Sequence, residues 1–140
     1  MKYLLILCLY LYCSILPINE KITIEKIVVY KDFYKAGTTA LLKNVFKDPS
    51  SYQVDTVFVD VKDEDINNFE FILDNADVKN HKQMKINVDL ALLVTIQNKE
   101  HYFIISESSN LIIDFTDNVN YILNTDELQN KAKEFVQEYN

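Results

Sequence analysis

Leu90, Leu92, Val94 and Ile96 occupy every second position in the C-terminal half of the chain, the period of a strand with one buried face. Asn98-Lys99 supplies a turn, and His101 to Ser106, with Tyr102, Phe103, Ile104 and Ile105, is apolar again. A link this short permits an antiparallel hairpin and little else. Ser108-Ser109-Asn110 turns the chain into Leu111 to Thr116, and Asp117-Asn118 leads to Tyr121-Ile122-Leu123. The pattern predicts an antiparallel β-meander of three or four strands. The period then changes: Leu128, Ala132, Phe135, Val136 and Tyr139 recur at helical spacing, with Asp126, Lys131, Lys133 and Glu134 between them. Asn124 and Glu127 have the spacing of a capping box, so this helix is expected to begin at Asn124 and lie across the meander.

The N-terminal half is less regular. Ile22, Thr23, Ile24, Ile27, Val28 and Val29 make Ile22 to Tyr30 a strand rich in β-branched residues. Thr38, after the only glycine at Gly37, can cap a short helix bearing Leu41, Leu42 and Val45, and Pro49-Ser50-Ser51 breaks the chain. Val57, Val59 and Val61 alternate with Phe58 and Asp60, which predicts a strand over Val54–Val61. Asp63 is the expected cap of a helix carrying Ile66, Phe69, Leu73 and Ala76 on one face, and a polar loop is expected from Val78 to Lys85. Together these elements define an α+β domain: an antiparallel β-meander packed by a C-terminal helix, with an N-terminal β-α-β-α portion.

The first residues have a different character. Met1-Lys2 is followed by an uncharged, leucine-rich run from Tyr3 to Leu16, and Pro17 ends it. A basic start, a short apolar run and a break are the layout of a secretory leader. Residues 1–17 therefore read as a signal peptide and 18–140 as a single small α+β domain, secreted or periplasmic. Cleavage after Cys13 would leave Leu11 and Cys13 at the sites that favour small residues. Lipidation at Cys13 is the alternative for an envelope anchor, with Tyr12 standing where a small residue is usual. The run falls short of the roughly 20 residues of a membrane helix, and a core element of a cytoplasmic protein is the remaining alternative.

Composition narrows the functions. The chain of 140 residues has a formal net charge of −7, and every one of its 14 basic side chains is lysine. Nucleic acids and anionic membrane surfaces are poor partners for such a chain, leaving the leader as its one route to a membrane. The absence of arginine removes the usual bidentate clamp for phosphate or carboxylate. Both cysteines, Cys8 and Cys13, lie in the leader, so the mature domain has neither a disulfide nor a thiol nucleophile. With one glycine, the chain has no phosphate-cradling loop and no nucleophile elbow around Ser106, Ser108 or Ser109.

Few residues remain for chemistry. Asp63, Asp65, Asn67 and Asp74 fall at positions 1, 3, 5 and 12 of a calcium-loop pattern, but position 6 is Asn68 rather than glycine and a strand precedes them. An acidic helix start explains the same residues. His81 lies among Lys79, Lys82 and Lys85 and reads as a solvated loop residue. His101 would act as a general base only if an acid faced it across the sheet, with Asp89 and Asp114 as candidates. Two separated histidines give no zinc signature, and no cofactor is implied. Tyr30, Phe33 and Tyr34 cluster beside Lys31 and Lys35 and would suit an interface if exposed, or finish the core if not.

The sequence thus points to an exported domain that acts by non-catalytic binding, as an inhibitor or immunity-type protein with a basic protein partner. An envelope hydrolase or cation-dependent enzyme centred on His101 is the alternative, and a structural envelope component or lipoprotein a third. Acids gathered on one face would favour the binder, and a deep pocket holding His101 with carboxylates the enzyme. Intact mass of the native protein from fractionated cells is expected to lack the leader; a full-length cytosolic mass would refute export.

Overall fold

The hairpin around Leu90 to Ile96 is the spine of the fold. A computed structural model describes residues 20–30, 32–54 and 59–140. The expected leader, residues 1–17, and residues 55–58 of the strand expected over Val54–Val61 lie outside them; Val54 and residues 59–61 carry no strand. The elements in chain order are β1 (Ile24–Tyr30), β2 (Ala36–Thr38), α1 (Thr39–Lys47), a 3-10 turn (Pro49–Tyr52), α2 (Asp63–Asn75), β3 (Asp77–Asn80), β4 (Lys85–Ile96), β5 (Lys99–Ser106), β6 (Leu111–Asp114), β7 (Val119–Ile122) and α3 (Asp126–Tyr139). The seven strands form an antiparallel sheet of order β1-β4-β5-β6-β7-β3, with β2 paired to the start of β4. The α+β class read from the sequence is the class observed.

Helices cover both faces of the sheet. Leu90, Leu92, Val94, Phe103, Ile105 and Ile112 pack beneath α2 and α3, against Phe69, Ile72, Leu73, Leu128, Phe135 and Val136. Ala91, Ile104, Ile113 and Phe115 point the other way, into a second core with Leu42, Val45 and Phe46 of α1. Two-sided burial explains the unbroken run Phe103-Ile104-Ile105, which a half-buried strand would not carry. The register slips between Val88 and Leu90. This bulge at Asp89 lets Val88 join the α1 side while Leu90 joins the other, although strict alternation would put both on one face.

Turns are built almost without glycine. Gln97 and Asn98, at φ 50° and 59°, join β4 to β5 in the left-handed conformation that suits the twist of a hairpin. The turn therefore lies one residue before the expected Asn98-Lys99, and Lys99 already pairs with Ile96. Asp32, Gln53, Ser109 and Asn118 also have positive φ; asparagine and aspartate tolerate that region better than most side chains.

Three local expectations are corrected. The polar loop from Val78 contains the end of β3, whose four residues are all exposed and pair with β7 from Asp77 opposite Ile122 to Asn80 opposite Val119. An edge strand with no buried face leaves no periodic trace. Asp63 does not cap α2: Lys62 stands at the N-cap, and Asp63, Glu64 and Asp65 form the first turn. Thr125, not Asn124, caps α3, its Oγ1 accepting from the Leu128 N–H at 3.3 Å, while the Asn124 amide donates to Asp77 at 2.7 Å. Thr38 caps α1 as expected, accepting from the Leu41 N–H. Thr125→Ala is expected to cost about 1 kcal/mol in urea denaturation, and Asn124→Ala less than half as much; the reverse order would place the cap at Asn124.

Candidate functional site

His101 stands near the start of β5 on the same face as Phe103 and Ile105, opposite Val94 in the register. Asp114 closes β6 and points to the same side. Both are buried, and His101 Nδ1 lies 2.8 Å from Asp114 Oδ2. The other carboxylate oxygen, Oδ1, accepts from the backbone N–H groups of Thr116 at 2.8 Å and Asp117 at 3.2 Å. The turn into β7 therefore wraps the carboxylate and fixes which oxygen faces the imidazole. Tyr102 holds the same turn, its N–H donating to Thr116 Oγ1 at 3.0 Å and its carbonyl accepting from Phe115 at 2.8 Å.

A second carboxylate completes the cluster. Asp117 Oδ2 lies 3.7 Å from His101 Nδ1, and its Oδ1 accepts from Lys99 Nζ at 2.8 Å. Phe103 separates this group from Tyr121, with ring centroids 6.1 Å from His101 on one side and 6.1 Å from Tyr121 on the other. Burial pushes the Tyr121 phenol up to about 12, and the charges of Asp114 and Asp117 add to the shift. Tyr30 in the other core is also pushed up to about 12, by burial first and then by Tyr102 and Glu100.

Of the two acids expected opposite His101, the fold brings Asp114 and not Asp89. Asp89 sits at the β4 bulge, five residues and about 16 Å of strand from Val94. It lines a narrow pocket of about 100 Å³ with Tyr30, Asp32, Lys35 and Tyr139. Burial and the charge of Glu107 raise its carboxyl above the usual range, with Lys35 opposing.

The other sequence candidates separate. Asp63, Asp65, Asn67 and Asp74 lie along the single helix α2. Asp63 and Asp65 are about 200° apart around it, and Asp74 is about 16 Å farther along, so their oxygens cannot surround one calcium ion. Asp65 instead accepts from the Tyr139 hydroxyl, and Asp74 from the Ile22 N–H at 2.9 Å. His81 is half-buried rather than solvated: its Nδ1 is 2.7 Å from Asn120 Oδ1, and its ring meets Phe115 edge-on. Tyr30 and Phe33 are core residues packed on Phe46, and Tyr34 is half-buried against Tyr52. Those three aromatics therefore make no exposed patch. Ser106 and Ser108 bond to Asn110, and Ser106 Oγ accepts from the Leu111 N–H, so they shape the β5–β6 turn.

Asp117 and Lys99 escaped the sequence reading. Their signal is two spacings taken together: Lys99 and His101 share one strand face, and Asp117 follows Asp114 by three residues across a turn. The larger omission is the placement of charge. α2 carries five acids and no lysine, and α3 four acids against two lysines. Their combined −7 equals the net charge of the entire chain, whose other residues balance at twelve acids and twelve lysines. The two helices lie side by side and antiparallel, joined by Lys62 to Glu138 at 2.6 Å near one end and Lys131 to Asn68 at 3.5 Å farther along. Phe71 on α2 remains 39% exposed, with Lys131 Nζ 5.2 Å from its ring centroid.

No helix among the described residues is long and apolar enough to cross a membrane. No family model matches the chain, and neither a curated protein nor a solved structure matches it.

Two outcomes test this geometry. Asp114→Ala strips the acceptor from His101, Thr116 and Asp117 together and is expected to cost about 3 kcal/mol; a loss below about 1 kcal/mol in denaturant melts would show the pair to be dispensable. Tyr30 and Tyr121 ionise later in the folded chain than in the unfolded one, so their contribution is complete below pH 10. Above that, only the unfolded chain gains by losing the proton, and stability should fall between about pH 10 and 12. A phenolate titration in which all tyrosines ionise near pH 10 without unfolding would contradict it.

Proposed function

We propose that this chain is an exported, non-catalytic binding domain of the inhibitor or immunity type whose α2–α3 layer covers a basic protein. The observation that carries this reading is charge segregation: the whole net charge of the chain belongs to one pair of neighbouring helices. Seven of the nine acids there, among them Asp63, Glu64, Asp126, Glu127 and Glu134, are exposed. An acidic face of this kind attracts a basic partner over a Debye length and raises the association rate. Phe71, exposed among these acids, supplies the apolar anchor that an interface centre requires.

The chemistry of His101 supports the same reading. Its side chain is 8% exposed and that of Asp114 2%, and four concave regions of the surface lie elsewhere, lined by other residues. A general base must reach the proton that it removes, and this pair has its hydrogen bond satisfied within the fold. The leader from Tyr3 to Leu16 supports export and an envelope or extracellular partner.

The test compares the wild-type chain with Asp63→Asn/Glu64→Gln/Glu134→Gln, which leaves both cores untouched. Wild type immobilised at low salt should retain a basic protein from envelope or culture fractions and release it at about 0.5 M salt, where screening shortens the Debye length to roughly 4 Å. The neutralised variant, folded by circular dichroism, should associate about tenfold more slowly. Equal capture by both proteins, or no soluble partner in either fraction, would sink the proposal.

A further inference from the structure

We propose that His101 Nδ1, Asp114 Oδ2 and Asp117 Oδ2 form a binding site for one divalent metal ion of the zinc class. One donor atom from each of the three residues lies within 4.8 Å of the other two, and the residues come from β5, the end of β6 and the β6–β7 turn. This site is separate from the acidic helical face and owes nothing to the binding function proposed for it.

Both carboxylates are already oriented. Asp114 Oδ1 is held by two backbone N–H groups and Asp117 Oδ1 by Lys99, so each presents its Oδ2 to the same imidazole nitrogen. Ligand-orienting bonds of this kind surround protein metal sites. The second carboxylate is what a hydrogen-bonded histidine pair does not explain. Nδ1 carries at most one proton, which Asp114 satisfies at 2.8 Å, yet Asp117 faces the same atom at 3.7 Å. Two negative groups thus converge on one nitrogen with a single lysine opposing them. A cation in place of that proton would bond all three donors, the proton leaving to solvent.

The donor set selects the ion. Zinc bonds imidazole nitrogen and carboxylate oxygen at about 2.0–2.2 Å in a tetrahedron, whose edges are then about 3.3–3.6 Å. The two histidine–carboxylate edges, 2.8 and 3.7 Å, fall on either side of that length, so each would change by less than about 1 Å on binding the ion. Calcium takes 6–8 oxygens, more than two carboxylates can supply when each has one oxygen committed elsewhere. Nitrogen with carboxylate is instead a borderline set suited to zinc and its neighbours. Asp117, whose side chain is 47% exposed, provides the entry path and leaves a fourth position for water. Such an ion would pin the start of β5 to the β6–β7 turn.

Untagged full-length Cys8→Ser/Cys13→Ser protein, freed of the two thiols that would themselves bind zinc, is dialysed against micromolar zinc chloride, and its metal content and thermal midpoint are measured. The variants and the wild type they are compared with share this background. About one zinc per chain and a raised midpoint are expected. Asp117→Asn changes a surface ligand and leaves the buried pair in place; it should weaken zinc binding at least tenfold, while Glu107→Gln should bind as wild type does. Less than about 0.1 zinc per chain, or equal binding by Asp117→Asn and wild type, would overturn the site. Displacement of zinc by millimolar calcium would overturn the assignment of ion class.

Discussion

Burial of β4 and β5 on both faces is the constraint on which the rest of the molecule depends. Leu92, Val94, Phe103, Ile104 and Ile105 are all essentially inaccessible, and they point alternately to opposite layers. Each such side chain contributes about 1.5–3 kcal/mol when removed from water, a gain available only if something covers both sides. α2 and α3 supply one cover, and α1 with the 3-10 turn supplies the other. The bulge at Asp89 is a local consequence, since it allows one strand to serve two cores of different composition.

A sheet covered in this way tolerates a polar group only if its partners come with it. Asp114 meets that condition: one oxygen is bonded to two amides of its own turn and the other to His101. The arrangement joins strand order to local chain direction, because the same residue ends β6, shapes the turn into β7 and ties both to β5. Asp114 is better understood as the keystone of that corner than as a spare carboxylate. Its neighbour Asp117 has no comparable structural duty beyond a surface bond to Lys99, which is why its approach to the same nitrogen calls for a separate explanation.

How much of this was legible depends on whether an element has two unlike faces. The helix bearing Leu128, Ala132, Phe135, Val136 and Tyr139 and the strand bearing Leu90, Leu92, Val94 and Ile96 each present a buried stripe, and both were readable, although β4 begins at Lys85, five residues before the alternation starts. β3 has no buried face at all, so its sequence resembled a loop and only pairing with β7 makes it a strand. The caps shifted because Asn124 and Thr125 are both competent N-caps, and the choice is settled by Asp77, a residue 47 positions from Asn124. At the candidate site, pairing of His101 with Asp114 was one of two options the meander allowed, and the bulge at Asp89 belongs to the strand end remote from it. Asp117 was missed because a turn acid normally faces water, and its three-residue spacing from Asp114 gains meaning only once Asp114 is known to lie against His101.

The acidic layer exceeds what helix stability requires. Acids in first turns, such as Asp63, Glu64, Asp126 and Glu127, complement the helix dipole and need no further reason. Asp74 and Glu138 stand near the C-terminal ends, where the dipole disfavours negative charge, and neither helix has a basic residue in its last turn. Asp74 is compensated by the Ile22 N–H and Glu138 by Lys62, so the fold accommodates these charges without gaining from their placement. Lysines are not scarce elsewhere in the chain, and they balance the acids outside the two helices one for one. Exchanging a few surface positions would even out the charge at no cost to either core. The excess is therefore not something that either core or the helix dipoles require, and it is the feature of the layer that the proposed basic partner would use.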